Sequence, residues 1–264
     1  MKLEGSRIVL TGAASGIGFA LLKRLAGIPC RVVAIDKDDA QLHTMVNKII
    51  SPAGKVSAYA ADMGERGGVD RAIDFAISEM GGIDIFIANA GFAYYEAFGK
   101  PDWAHIESIF RVNTISPLYA LAKMTQLHSD GSPFQVVITA SSMAKLGLAG
   151  YALYASTKAA LDRFADSYAQ ELPPNATLTL AYPIATRTAF FSSAASQLPA
   201  TPWPSQTPEY VADQLVLGID AGKREIYPSL TFRVMWAINR VIPVTSVYQA
   251  YTRGLFDKWR TGKR

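Results

Sequence analysis

The sequence predicts an α/β fold: a doubly wound parallel sheet with helices on both faces. Short, mostly apolar runs of strand length alternate with longer stretches of helical periodicity, and no long linker separates them. The helical stretches are long enough for the right-handed crossovers that join parallel strands. A chain of 264 residues with 50% hydrophobic content can bury one large core. Strands are expected near 7–11, 31–35, 55–60, 83–88, 134–140, 176–182 and 224–227. Helices are expected near 16–27, 38–50, 67–80, 103–128, 151–172 and 208–221. Residues 1–264 read as a single domain, with an irregular loop at about 187–208 and an apolar helical extension at about 229–260. The loop carries prolines at 199, 202, 204 and 208.

Composition narrows the function classes. Net charge is +4 and the basic residues are scattered, apart from the tail Arg260 and Gly262-Lys263-Arg264, so no nucleic-acid footprint is expected. The single cysteine, Cys30, excludes an intramolecular disulfide, suits a reducing compartment and reads as packing. His43, His105 and His128 have no paired spacing that would suggest a metal. Met1-Lys2-Leu3-Glu4-Gly5 contains no apolar signal region and no run of 18 apolar residues occurs, so a cytoplasmic location is expected.

Taken in order, Arg7-Ile8-Val9-Leu10 reads as a buried strand, and Ile17 to Leu25 as the helix that follows it. Between them lies Thr11-Gly12-Ala13-Ala14-Ser15-Gly16-Ile17-Gly18. Gly12, Gly16 and Gly18 remove side chains that would keep backbone N–H groups, including those of Ser15 and Ile17, away from a phosphate. The helix N-terminus adds a dipole that favours anions. A turn without a ligand is the alternative for this motif by itself.

The second strand, Arg31-Val32-Val33-Ala34-Ile35, ends on Asp36. A carboxylate about 20 residues past the glycines accepts hydrogen bonds from adenosine ribose hydroxyls and repels a 2′-phosphate. Lys37 partly offsets that repulsion, so the reading is NAD over NADP, with a solvated helix cap as the alternative role for Asp36. After the third strand, Asp62 is placed to accept from an adenine amino group, with Met63 beside it. The fourth strand runs into Asn89-Ala90-Gly91, where small residues allow backbone to approach a cofactor and Asn89 can tie neighbouring strands. Asn113 falls inside an expected helix, where asparagine is a mediocre helix former and can open the backbone ladder to a water; an exposed helical asparagine is the plain alternative.

The fifth strand, Val136-Val137-Ile138-Thr139-Ala140, delivers Ser141 and Ser142 to its carboxyl end. Tyr154 and Lys158, four apart, share one face of the next helix. A lysine cation close to the phenol favours the phenolate and is expected to bring its pKa toward the working range. A serine hydroxyl there can hold a substrate oxygen.

Together these residues resemble the short-chain dehydrogenase/reductase family, single-domain type, over nearly the whole chain. The matching elements are the glycine turn 11–18, Asp62, Asn89-Ala90-Gly91, Asn113, Ser141-Ser142, Tyr154-Ala155-Ser156-Thr157-Lys158 and Tyr182-Pro183. The resemblance implies a Rossmann-type, seven-stranded doubly wound parallel sheet of order 3-2-1-4-5-6-7. It implies hydride transfer between a nicotinamide and a carbonyl or secondary alcohol, with Tyr154 as general acid/base and a serine anchoring the substrate oxygen. Lys158 would bind the nicotinamide ribose and depress the tyrosine pKa, and Asn113 would hold a relay water. Pro183, Thr186 and Thr188 would border the nicotinamide, and a homodimer or homotetramer would form through helices 103–128 and 151–172. The chain departs from the family in having Ile184 and Lys145 where glycine is usual. The usual serine-to-tyrosine spacing of thirteen selects Ser141, but the local pattern Ser142-Met143-Ala144 favours Ser142.

Phe92, Tyr94, Tyr95, Phe190, Phe191 and Trp203 lie on segments expected to border the cleft, which suits a lipophilic substrate, although each could equally pack a loop. Leu230 to Val244 is apolar, with Arg233 and Arg240 one heptad apart. It is expected to be covered by the chain's own loop or by a sister subunit, in preference to a peripheral membrane contact. A cofactor-binding regulatory protein without turnover is the alternative to an enzyme, and the complete Asn-Ser-Tyr-Lys set argues against it.

Overall fold

The computed structural model describes residues 1–49, 53–99, 102–190, 204–239 and 241–261. Seven strands form one parallel sheet: β1 (Arg7–Thr11), β2 (Arg31–Asp36), β3 (Lys55–Ala60), β4 (Ile85–Ala88), β5 (Phe134–Thr139), β6 (Ala176–Ala181) and β7 (Glu225–Ile226). Their order is β3-β2-β1-β4-β5-β6-β7, as the resemblance implied. The helices are α1 (Gly16–Ala26), α2 (Asp39–Asn47), α3 (Arg66–Met80), α4 (Trp103–Phe110), α5 (Ser116–Leu127), α6 (Ala152–Tyr168), α7 (Pro208–Asp220), α8 (Leu230–Asn239) and α9 (Thr245–Thr261).

The central strands are mostly apolar and buried because both faces of the sheet are covered. Side chains alternate across a strand, so in β1 Val9 joins one core with α3, α5 and α6. Its neighbours Ile8 and Leu10 join the other with α1, α2 and α7. Leu10 stands in register with Ala34 of β2 and with Ile87 of β4. The strand order reverses at β1, since β2 leads one way and β4 the other, and the carboxyl ends on either side of such a reversal are where open α/β sheets take ligands.

One expectation needs correcting. The helix expected over 103–128 is divided into α4, a π-helical turn at Arg111–Ile115, and α5. The cause is Pro117, which has no N–H to give to the carbonyl of Asn113, four residues earlier. The ladder widens there, and the Ser116 N–H reaches back five residues to the Arg111 carbonyl. The apolar stretch 230–242 divides by exposure in the single chain. Within it, among the described residues, Phe232 is buried, whereas Leu230, Val234, Ile238, Val241 and Ile242 are exposed. Arg240 and residues 262–264 lie outside the described residues.

Candidate active site

The glycine turn leaves β1 and enters α1 in a conformation that needs glycine. Gly12 and Gly16 have φ of 67° and 52°, the left-handed region that other residues avoid. A Cβ on Gly12 would lie 2.8 Å from the Cα of Ala90, and one on Gly18 would strike the Gly12 carbonyl. A Cβ on Gly16 would lie 3.2 Å from the Thr188 methyl, which places the segment after β6 against the turn. Ser15 caps α1 in an extended conformation without a side-chain cap bond. The first amides of α1, at Gly16, Ile17 and Gly18, precede the helical ladder, so they can serve an anion. The residues therefore fit the pyrophosphate of a dinucleotide.

Asp36, at the end of β2, accepts from the Ala14 N–H at 3.0 Å through one oxygen and from the Asp38 N–H at 3.2 Å through the other. The carboxylate is thus fixed against the glycine turn, and the helix cap belongs to Asp38, which accepts from the Gln41 N–H. After β3, Asp62 is exposed and accepts from the Gly64 N–H at 2.7 Å, while the Met63 side chain is buried.

Asn89 is where three strands are tied together. Its side-chain nitrogen donates to the Thr11 carbonyl at 3.2 Å and to the Gly12 carbonyl at 3.3 Å. Its side-chain oxygen accepts from the Thr139 hydroxyl of β5 at 3.2 Å. The Thr11 hydroxyl in turn accepts from the N–H groups of Asn89 and Ala90, both at 3.0 Å. Thr11 and Thr139 were not singled out from the sequence, although both end strands beside motif residues.

Asn113 is fully buried on the π turn. Its amide nitrogen donates to the Phe92 carbonyl at 2.9 Å and to the Thr157 hydroxyl at 3.1 Å, and its oxygen accepts from the Phe92 N–H at 3.0 Å. The side chain thereby locks the segment after β4 onto α6, and it is the Asn113 carbonyl that Pro117 leaves without its normal helical donor. A Cβ on Gly91 would lie 3.0 Å from the Asn113 oxygen and 3.6 Å from Lys158 Nζ, so these three groups meet.

Of the two serines, Ser141 is the one whose hydroxyl acts on the Tyr154 phenol, where the local sequence pattern favours Ser142. Ser141 is extended, accepts from the Met143 N–H through Oγ at 3.1 Å, and its hydroxyl is near enough to the Tyr154 phenol to favour the phenolate. Ser142 instead opens the short 3-10 turn Ser142–Ala144, with its N–H on the Pro183 carbonyl at 2.9 Å. Lys158 is buried on α6 one turn beyond Tyr154, donates to the Thr139 carbonyl at 2.8 Å and lies 5.8 Å from the centre of the tyrosine ring. Burial pushes the phenol up to about 12, with the Ser141 hydrogen bond opposing the rise. Burial pulls the Lys158 ammonium down to about 7. The expected lowering of the phenol pKa is therefore reversed, because a phenolate deep in the protein loses more hydration than its neighbours restore.

Behind Pro183, Thr186 donates to the Ile184 carbonyl at 2.9 Å and Thr188 to the Thr186 carbonyl at 3.4 Å. Thr186 pairs with Gln206, which closes the base of the loop 187–208; its residues 191–203 lie outside the described residues, and with them Phe191 and Trp203. Lys145 turns away from the cleft, 2.7 Å from Asp162 and 5.0 Å from the centre of the Tyr182 ring. Phe92, Tyr94, Tyr95 and Phe190 do gather around Tyr154. The same apolar cluster includes Tyr151 and, from α9, Phe256 and Trp259, which sequence reasoning missed. Trp259 and Phe256 lie 4.8 Å and 6.0 Å from Tyr95, ring centre to ring centre. No motif marks α9, because its contact with Tyr95 exists only after folding.

A family model described as short chain dehydrogenase matches residues 6–199. Over 163 residues the chain is 36% identical to 1-deoxy-11-beta-hydroxypentalenate dehydrogenase of Streptomyces avermitilis, an alignment that covers 60% of this chain and 60% of that protein. Over 180 residues it is 29% identical to L-xylulose reductase of Bos taurus, covering 66% and 69% of the two chains. The fold is similar to a short-chain dehydrogenase/reductase of Burkholderia phymatum solved in complex with NAD, with TM-score 0.80 and 18% identity over 91% of this chain and 94% of that one. A short-chain dehydrogenase of Sphingobium yanoikuyae solved with NADPH gives TM-score 0.78 and 22% identity, again over 91% and 94%. At these identities the solved structures speak to the fold alone.

Proposed function

The chain belongs to the short-chain dehydrogenase family, and on that premise we propose that it is an NAD-linked oxidoreductase acting on a carbonyl or secondary alcohol of a lipophilic substrate. The observation that carries this reading is the buried Tyr154 phenol, with Lys158 5.8 Å from its ring centre and Gly91 and Asn113 beside that lysine. The relatives matched are named as dehydrogenases and reductases, which agrees with it.

A bound nicotinamide would supply or accept the hydride. The pyrophosphate would lie on the amides at the start of α1, the adenosine ribose on Asp36, and the adenine near Asp62 and Met63. Ala90, Gly91, Pro183, Thr186 and Thr188 would border the nicotinamide end. In reduction, Tyr154 keeps its proton at neutral pH, because burial holds the phenol up at about 12, and gives it to the substrate oxygen. Ser141 holds that oxygen by hydrogen bond. Lys158, fixed by the Thr139 carbonyl, offsets the phenolate charge whenever it is itself protonated. Asn113 keeps the π turn and α6 at a fixed separation. The aromatic wall of Tyr95, Tyr151, Phe256 and Trp259 suits an apolar or ring-bearing substrate. We assign assembly as a homodimer or homotetramer to the face of α4, the π turn, α5 and α6, where Ile115 of the turn and Leu127 of α5 are exposed.

The test is a screen of secondary alcohols and ketones followed by reduced-nicotinamide absorbance, run on the wild type and on Tyr154→Phe. The phenylalanine variant should bind NAD as the wild type does and lose nearly all turnover. Near-normal turnover in that variant would remove Tyr154 from the chemistry. Cofactor binding without turnover on any substrate would favour a regulatory role.

A further inference from the structure

The last two helices carry an unusual pairing of exposed apolar surface and positive charge. Residues 230–264 hold seven Lys and Arg side chains and a single carboxylate, Asp257, a net charge of +6 in a chain whose total is only +4. The remainder of the molecule is therefore slightly acidic, and the basic pI of 9.1 comes from this segment. On α8, Leu230, Val234 and Ile238 are exposed. At about 100° per residue they fall along one side of the helix, with the exposed Arg233 at its edge. The apolar exposure continues through the turn, where Val241 is 86% exposed, and onto α9 at Val247 and Tyr251. On α9 the same spacing brings the exposed Lys258 onto the side that carries Val247 and Tyr251.

The two helices are held as a unit rather than left loose. The Asn239 side-chain oxygen accepts from the Thr245 N–H at 3.0 Å and from its hydroxyl at 2.8 Å. Gln249 donates to the Gly147 carbonyl at 3.1 Å, and Phe256 with Trp259 anchors the opposite side of α9 on Tyr95. The outward side chains thus belong to a docked, ordered surface.

We propose that the outward face of α8, its turn and α9 lies on an anionic lipid surface, with Leu230, Val234, Ile238, Val241 and Val247 in the acyl boundary and Arg233 and Lys258 among the headgroups. Three physical points select this occupant. A second copy docked through a two-fold axis would set this cationic segment against itself, and like charges meeting in an interface repel. Nucleic acid would satisfy the charge and leave the apolar stripe in water. No described helix is long and apolar enough to cross a membrane, so the segment lies on the surface rather than spanning it. Because α9 also walls the aromatic cluster around Tyr154, this surface adjoins the candidate site.

The full chain is floated through a density gradient with vesicles of phosphatidylcholine alone or mixed with phosphatidylglycerol. It should rise with the anionic vesicles, stay behind with the neutral ones, and be released by added salt. Val234→Glu/Ile238→Glu should abolish flotation while leaving the melting curve unchanged, since both positions are exposed. Arg233→Glu/Lys258→Glu should weaken vesicle binding by about tenfold or more. Absence of flotation with anionic vesicles, equal flotation with neutral ones, or wild-type flotation of the glutamate pair overturns the proposal. Sedimentation of the wild type as a dimer that the glutamate pair splits, with no vesicle binding, assigns the face to a second copy and also overturns it. Flotation is read without turnover, so its failure leaves the oxidoreductase reading standing.

Discussion

Tyr154 and Lys158 are buried together, and burial works against the charged form of each. For Lys158 the consequence is a stability slope. Its pKa falls from 10.5 to about 7 on folding, so between those values the unfolded chain binds the proton more strongly than the native chain. Stability contributed at this position therefore rises with pH through that window, and below about 7 the full cost of burying the ammonium is present. We predict that Lys158→Met removes this slope. Urea titrations of both proteins at about pH 7 and about pH 10 should show the methionine variant ahead by more at the lower pH, and parallel behaviour would refute it. A second prediction separates the serines. Ser141→Ala should lower kcat by about 10²- to 10³-fold, the cost of losing one hydrogen-bond donor to a reacting oxygen. Ser142→Ala should change kcat by less than about threefold, since Ser142 acts through its backbone. Steady-state kinetics on a substrate from the screen decides it, and the reverse order would restore Ser142.

At the scale of elements, the site is assembled by strand ends that the sheet brings side by side. β1 and β2 present the glycine turn and Asp36 in contact, and the Ala14 N–H on the Asp36 carboxylate fixes its position. A 2′-phosphate would meet that carboxylate, with the adjoining Lys37 exposed to solvent. NAD should therefore bind at least about tenfold more tightly than NADP, about 1.4 kcal/mol. Titration by tryptophan fluorescence measures it, and equal or reversed affinities would mean that a cation dominates the ribose end. The π turn shows how much of an element its sequence contains. Pro117 stands four residues after Asn113, and that spacing alone forbids a regular helix through 103–128. What the spacing does not contain is that the Asn113 amide bonds both the Phe92 backbone and Thr157 on another helix.

At the scale of the molecule, the C-terminal helices complete the candidate substrate side rather than merely extending the chain. α9 reaches across to put Phe256 and Trp259 on Tyr95, and the glycine at 150 leaves room for the Tyr95 and Phe256 rings: a Cβ there would crowd Tyr95 and lie 3.0 Å from Phe256. The core of the sheet does not include α9. Deletion of everything after Ser229 should thus leave NAD titration near wild type and abolish substrate turnover, with aggregation visible by size exclusion because Tyr95 and its neighbours are uncovered. A soluble and fully active truncation would show that α8 and α9 serve neither the site nor the fold.

The sequence by itself determined the sheet, its order through the family resemblance, the glycine turn, and which residue types stand at the strand ends. These depend on periodicities of two and 3.6 residues and on backbone conformations that only glycine or proline accepts, and such signals are complete within a short stretch of chain. Only the tertiary structure decided that Ser141 rather than Ser142 meets the phenol, because the 3-10 turn rotates adjacent residues to different partners. It decided that the phenol is raised and not lowered, since desolvation depends on everything packed around Tyr154. It also decided that α9 covers the aromatic cluster, with Phe256 and Trp259 on Tyr95. Hydrophobic pattern says that a side chain gains from leaving water, and the folded surface alone says whether a neighbour is there to receive it.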